Sequence, residues 1–279
     1  MAISNFIPTI WSENLYEELD KQYIAVANCN RDFEGEFKNK GSVVKICGGG
    51  AVNVSNYSKN IDMPSPQLLS DTVKELAIDQ AKYFNFQIDD IDRAQSSPKL
   101  MSSAMKIAAN ALANEADKYV FGLYEQAGRP ISTNLIDDES VFDYFINAVT
   151  ILRKNNVNDP DDVIIEIPPM VAALILKAKI KVLSDNGEAL ENGCIGRIAG
   201  CKVFVSNNVV YDSNGDMTTC KCFVRTKRAI AFAEQLSEIE AYRPERRFSD
   251  AVKGLHLYGA KVVYPSEYVV VNMMVPTIE

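Results

Sequence analysis

Histidine is nearly absent from this chain: His256 stands alone among 279 residues. Imidazole-based dyads and triads, and mixed cysteine–histidine zinc sites, therefore have one position to draw on. No G-x-S-x-G, H-E-x-x-H or kinase-like set occurs. The six cysteines (Cys29, Cys47, Cys194, Cys201, Cys220, Cys222) include no C-x-x-C spacing. They read as free, mostly buried thiols of a reducing compartment, and "CKC" at 220–222 is expected to split its thiols between the two faces of a strand. Long apolar runs are missing too, since none approaches the roughly 18 residues that cross a bilayer. "MAISNFIPTIWSENLYEEL" lacks the basic segment and apolar core of a secretory signal. We expect no membrane partner and synthesis in a cytoplasm. Clustered positive charge is also lacking. The formal net charge is −8, and "RPERRF" at 243–248, the one basic cluster, is broken by Glu245. That argues against a dedicated nucleic-acid binder, which needs grouped lysine and arginine to displace counterions.

What is present is ordinary for a globular protein: 47% apolar and 24% charged residues, enough for one large or two intermediate domains. A short amphipathic helix is predicted over 12–25, capped by Ser12, with Leu15, Leu19 and Tyr23 on one side. From residue 31 the period changes to two, pairing Phe33 with Phe37 and Val44 with Ile46. A polar stretch rich in glycine, asparagine and proline follows over 48–66. Then "DTVKELAIDQAKYFNFQIDD" places Leu76, Ile78, Phe84, Phe86 and Ile88 on one face. Two extended segments around a polar tip predict a protruding β-hairpin.

The clearest helix spans 98–127, about 45 Å at 1.5 Å per residue. Ser97 caps it, Pro98 opens it, and Gly128 and Pro130 end it. Met101, Met105, Ile107/Ala108, Leu112, Ala116, Tyr119 and Leu123 form its stripe. Residues 137–240 read as an α/β region: a helix over 139–154, the buried strand "DDVIIEIP", the proline-opened helix "PPMVAALILKAKI", and further strands. "GLHLYGAKVVYPSEYVVVNMMV" is expected to be a strand pair turning at "PSE".

Candidate chemistry is sparse. Gly48, Gly49 and Gly50 end a strand as phosphate loops do, but "AVNVSNYSKN" follows, not a helix, and no Lys-Ser/Thr pair is present. "DDID" (Asp89, Asp90, Asp92) lacks the glycine and distal glutamate of a calcium loop and reads as a strand end. His256, mid-strand in "LHLYG", reads as a packing or interface residue. No catalytic residue, metal ligand or cofactor site is expected. Arg243, Glu245, Arg246, Arg247 and Asp250 are dense, mixed in sign, and adjoin a hydrophobic strand. They read either as a solvated face or as an interface built on arginine–carboxylate pairs.

The segments "IPTIWSENLYEEL", "NRDFEGEFK", "LAIDQAKYFNFQIDDIDRAQSSP", "VSNNV" and "AIAFAEQLSEIEAYRPERRFSDAVKGLHLYGAKVV" run in order from residue 7 to 263. In them the chain resembles the major capsid proteins of tailed double-stranded DNA bacteriophages with the Hong Kong 97-type coat fold. The polar stretch at 48–66 and the "CKC" pair depart from the family.

The resemblance implies an α+β fold: an N-terminal arm (1–30), an extended β-hairpin loop (31–92), a peripheral domain with a spine helix (93–136), an axial domain (137–240) and peripheral return strands (241–279). It implies a non-enzymatic subunit of an icosahedral shell, forming pentamers and hexamers, with a separate scaffolding protein and a portal as partners, and enclosing DNA without reading its sequence. Arg243, Glu245, Arg246, Arg247 and Asp250 become inter-subunit contacts, joined by Tyr57 and Lys59 in the hairpin tip. Some relatives link subunits by a Lys–Asn isopeptide bond, for which Lys59 is the candidate lysine. Two alternatives stand: an encapsulin-like compartment shell, and an α/β enzyme using 137–240.

Overall fold

The strands of the described residues form three sheets, of two, three and seven strands. The computed structural model describes residues 15, 18–20, 22–33, 41–49, 54, 56, 59, 62, 65, 71–89, 100–136, 140–177, 194–214, 217–245 and 249–276. The strands are β1 (Val43–Gly49), β2 (Asp71–Ala77), β3 (Gln80–Asp89), β4 (Arg129–Leu135), β5 (Val163–Ile167), β6 (Cys194–Ile198), β7 (Cys201–Val205), β8 (Tyr211–Asn214), β9 (Met217–Thr226), β10 (Ile230–Tyr242), β11 (Ser249–Val262) and β12 (Tyr268–Pro276). The helices are α1 (Leu100–Gly122), α2 (Val141–Lys154) and α3 (Pro169–Lys177).

The spine α1 has 23 residues, about 35 Å at 1.5 Å each. It stops short of the expected 127 because Gly122, a poor helix former, hands over to a 3-10 turn at Leu123–Gln126. Met105, Ala109, Leu112, Ala113, Ala116 and Val120 are buried along one side. Ile107, expected beside that stripe, is 68% exposed, because it sits about 200° round the axis from Met105. Ser97, Pro98 and the side chain of Met101 lie outside the description. Against the buried stripe packs a three-stranded antiparallel sheet, β10–β11–β3. Their shared core includes Leu15, Leu19 and Tyr23 from the N-terminal segment, on the face expected for them. Phe121 stacks on Phe223 of β9 at 5.4 Å between centroids, which ties the spine to the second sheet.

The second sheet has seven strands in the order β4–β12–β9–β5–β7–β6, with β8 also paired to β9. β5, "VIIEI", is buried at every residue, as its central place requires. α2 and α3 share a core with this sheet, through Phe145, Val149 and Leu152 of α2 and Val171 and Ile175 of α3. The expected strand pair at the end of the chain does not form. β11 pairs with β10 and β3, whereas β12 crosses to the other sheet and lies between β4 and β9. "PSE" makes a 3-10 turn at Pro265–Glu267, but it redirects the chain from one sheet to the other instead of closing a hairpin.

The predicted hairpin is present as β1 paired with β2 over seven residues, from Val43↔Ala77 to Gly49↔Asp71. Gly48 and Gly49 are its last paired residues on β1, opposite Thr72 and Asp71. Gly50 lies outside the description. The single extended segment expected after it is two strands, broken at Ile78–Asp79. Leu76 and Ile78 therefore pack with Val44, Ile46 and Leu257 at the hairpin base, while Phe84 and Phe86 pack against the spine core. Gly259 of β11 makes the crossing possible: a Cβ there would lie 2.2 Å from the Ala77 carbonyl oxygen. Lys74 adds a hydrogen bond to the Val263 carbonyl.

Candidate assembly surface and its buried anchors

The residues expected at inter-subunit contacts fall at two separate places. Arg243 and Asp250 close the base of the β10–β11 turn, with Arg243 Nε 3.4 Å from Asp250 Oδ1. Glu245 lies exposed within that turn. Arg246 and Arg247 lie outside the described residues. The next pairs inward continue the theme: Lys253 Nζ reaches Glu240 Oε2 at 2.7 Å, and Tyr242 donates to Asn85 Oδ1 at 3.2 Å. This end of the three-stranded sheet is an exposed polar surface of mixed sign. Lys59 is exposed in the segment between β1 and β2, and no contact among the described residues joins it to the 243–250 turn. Tyr57 lies outside the description. Asp89 ends β3 as expected of a strand end, while Asp90 and Asp92 are not described.

A deeper set of charges fixes the segment that leads from the N-terminal arm to the hairpin. Asp117 of α1 is buried, and its carboxylate accepts the N–H groups of Ile24, Ala25 and Val26, each at 3.0 Å. Burial raises its pKa to about 6, against the lowering effect of those N–H groups. From β9, Arg225 donates to the carbonyls of Asn28 at 2.7 Å and Ala25 at 3.1 Å. Its Nε and one terminal nitrogen fork onto Glu166 of β5 at 2.9 and 2.8 Å. Burial works against the guanidinium charge, but the Glu166 carboxylate more than offsets it and raises the Arg225 pKa. Burial alone pushes Glu166 up while Arg225 pulls it down; the bidentate geometry is that of an ionised pair.

Glu234 of β10 is the second anchor. One oxygen accepts from Tyr23 Oη at 2.5 Å and lies 2.8 Å from His256 Nε2. The other accepts from Arg31 at 2.6 Å, and Arg31 also pairs with Asp20 at 2.7 Å. Burial opposes the charge on Glu234, but the hydrogen bond from His256 leads the partners that hold its pKa below the usual carboxylate range. His256 is fully buried, so of the two roles expected for it the packing one holds. A third acid, Glu267, accepts from Thr226 at 2.7 Å and from Arg228 at 2.7 and 2.6 Å.

None of these anchors was singled out by motif. The signal for two of them was a lone charge inside an apolar run, Glu166 in "VIIEIP" and Arg225 in "FVRT". The thiols correct one expectation: residues two apart in a strand share a face, and Cys220 and Cys222 lie in the same apolar core. Cys29, Cys201, Cys220 and Cys222 are free, and burial raises Cys220 to about 11. No cluster of metal-ligating side chains occurs among the described residues, and no helix there is long and apolar enough to cross a membrane.

No family model matches the sequence, and no curated protein does. Solved structures do match. The chain is 30% identical to that of "Mycobacterium phage Che8", covering 90% of this chain and 91% of that one with a TM-score of 0.69. "Capsid of Ralstonia phage GP4" is 11% identical over 93% of this chain and 91% of that one, with a TM-score of 0.71. "Crystal structure of virus-like particle from Pyrococcus furiosus" is 11% identical over 97% and 100%, with a lower TM-score of 0.60. The fold described above is thus shared with solved phage capsids, in one case at 30% identity over nine-tenths of both chains. The chain belongs to the major capsid proteins of tailed bacteriophages, with the Hong Kong 97-type fold, and is a structural component of the virion.

Proposed function

We propose that this subunit, without enzymatic activity of its own, builds pentamers and hexamers of an icosahedral shell around a double-stranded DNA genome. The carrying observation is the 30% identity to the "Mycobacterium phage Che8" chain across nine-tenths of both chains. The net charge of −8 suits the task, because an acidic wall does not hold DNA that must be packed and released. In this reading the 31–92 hairpin loop reaches a neighbouring copy, and Tyr57 and Lys59 make contact there. The spine and the β10–β11–β3 sheet form the peripheral part, which takes in β3 and β10 beside the expected 93–136 and 241–279, while β4 and β12 from those ranges join the seven-stranded sheet. The region 137–240, with α2 and α3, meets its copies around the symmetry axes. Arg243, Glu245, Arg246, Arg247 and Asp250 supply polar contacts between subunits. Assembly takes place in the host cytoplasm, with a separate scaffolding protein and a portal. The encapsulin alternative has weaker support, since the virus-like particle from Pyrococcus furiosus matches with a TM-score of 0.60, against 0.69 and 0.71 for the two phage structures.

Expression of the chain with and without a co-expressed scaffold, followed by sedimentation and electron microscopy, tests the reading. Closed particles are expected. Dimers or tetramers alone, under every salt and scaffold condition, would overturn it.

A further inference from the structure

The outward face of α2 keeps its charges at its two ends. Asp143, Ile146, Asn147, Thr150 and Lys154 are spaced by three and four and are all exposed. Asp143 is the acid of the first turn, and Arg153 and Lys154 are the bases of the last. Between the ends this stripe carries no charge, and Ile146 is 48% exposed. Asp143 and Lys154 are separated by about 16 Å along the axis at 1.5 Å per residue.

At the basic end a second element contributes. Arg129, the first residue of β4, shares with Lys154 a groove of about 310 Å³ that is completed by Gly128, Ile151, Asn155 and Ser266. Two contacts fix its shape. Asn155 Nδ2 donates to the Ser266 carbonyl at 2.6 Å, and Gly128 N–H donates to the Pro265 carbonyl at 2.9 Å. A Cβ on Gly128 would lie 2.2 Å from that same oxygen, so glycine is what lets the turn seat against the end of α2. Arg129, Lys154 and Asp143 make no ion pair with any described residue, and no carboxylate lines the groove. The helix dipole favours an acid at the start of α2 and a base at its end. It does not account for an arginine from a strand converging on that base across a groove.

We propose that the groove is one half of a contact between copies of this chain, in which Arg129 and Lys154 of one subunit receive Asp143 at the start of α2 in the next. Ile146 is then covered by the neighbour. A second copy is the fitting occupant because α2 carries both halves of the match at opposite ends. A contact between different patches of identical chains closes into a ring when the rotation between neighbours divides a full turn, and otherwise runs on as an open helix. Copies carrying a net charge of −8 repel one another overall, so each contact gains from cations set opposite a carboxylate.

The test is a charge exchange read by sedimentation and electron microscopy of particles, with wild type in parallel. Arg129→Glu/Lys154→Glu sets acid against acid, and Asp143→Lys sets base against base. Each should lower the assembled fraction about tenfold or more, and the triple variant, which restores opposite signs in every contact, should return it to within about threefold of wild type. All three positions are exposed, so urea melts of unassembled subunits should match wild type. If a reversal lowers stability, Arg129→Gln/Lys154→Gln is read in its place and should weaken assembly. Reversal variants, or the neutral pair, that assemble as wild type overturn the proposal, and so does a folded triple variant no better than its parents. Either failure leaves the shell reading intact, because wild-type particles are scored in the same experiment.

Discussion

Asp117 and Arg225 hold one short turn from opposite sides: the carboxylate takes three of its N–H groups, and the guanidinium takes the Ala25 and Asn28 carbonyls. The turn joins the N-terminal arm to the hairpin, while its two holders sit on the spine and on the seven-stranded sheet. The arm, the spine and the wide sheet are thereby locked in one arrangement by buried polar groups, each with its partner.

Removing either holder leaves buried groups unsatisfied. Asp117→Ala orphans three N–H groups and should cost about 3 kcal/mol or more, at about 1–3 kcal/mol for each buried group left unpaired. Arg225→Met strands the Glu166 carboxylate as well as two carbonyls and should cost about 3–5 kcal/mol, whereas Glu166→Leu/Arg225→Met should cost less than Arg225→Met alone. Urea unfolding of the subunit measures both. A double variant worse than the single would show that the pair stabilises beyond satisfying its own charges.

Asp117 also gives the subunit a pH signature. Its folded pKa of about 6 lies above the ordinary aspartate value, so the native state binds the proton more tightly than the unfolded chain. This group's contribution is therefore full below about pH 4 and falls as pH rises to about 6, by about 3 kcal/mol for a shift of this size. Glu234 has the opposite sign. With its pKa depressed, its contribution is present above the ordinary glutamate range and is lost as pH falls through its lowered folded value. Urea midpoints between pH 4 and 6.5 should show a slope that Asp117→Asn removes; an unchanged slope would assign it to other groups.

The Glu234 hub makes a separate prediction. Tyr23→Phe deletes one hydrogen bond to a buried carboxylate and should cost about 1.5–3 kcal/mol. Glu234→Gln keeps the shape but removes the charge that Arg31 and His256 face, and should cost at least as much. Because Tyr23 and Arg31 lie on the arm side of the hub, both variants should also make the first thirty residues more open to protease at native pH. Protection equal to wild type would show that the Asp117–Arg225 turn alone holds the arm.

Much of this architecture was legible in the residues because period and burial agree there. The stripe of α1, the face of Leu15, Leu19 and Tyr23, the buried "VIIEI" strand and the β1–β2 pairing follow from spacing alone. The partner of each late strand did not follow. β11 and β12 are both apolar and are joined by a proline turn, a pattern shared by a hairpin and a crossover. What separates them is the seating of Pro265 on Gly128, from a distant part of the chain, where the Gly128 N–H donates to the Pro265 carbonyl at 2.9 Å. The anchors were hidden for a similar reason. A lone acid such as Asp117 on a helix reads as solvated until the fold sets a turn's N–H groups against it. For the expected contacts Arg246, Arg247 and Tyr57, the proposal rests on the family resemblance.

The hairpin gives the last prediction. β1 and β2 pair over seven residues, and their inward side chains Val44, Ile46, Leu76 and Ile78 are buried against Ala231, Ala233 and Leu257. The paired strands are therefore part of the subunit's own core. Of the residues described between the strands, Val54 is 95% exposed, and Asn56, Lys59, Asp62 and Ser65 are exposed too, so none of these belongs to that core. Replacing 50–70 by a two-residue Asn-Gly turn should keep the ladder closed from Val43↔Ala77 to Gly49↔Asp71. The variant should fold and melt cooperatively, more stable than wild type by about 2 kcal/mol, at about 0.6 kcal/mol for each halving of the loop. Assembly should fail or give fragile shells, because the contacts removed recur at every subunit. Circular dichroism of the variant beside electron microscopy of its products decides the matter. Robust shells would show that 50–70 is a passive connection, and an unfolded subunit would show that it belongs to the core.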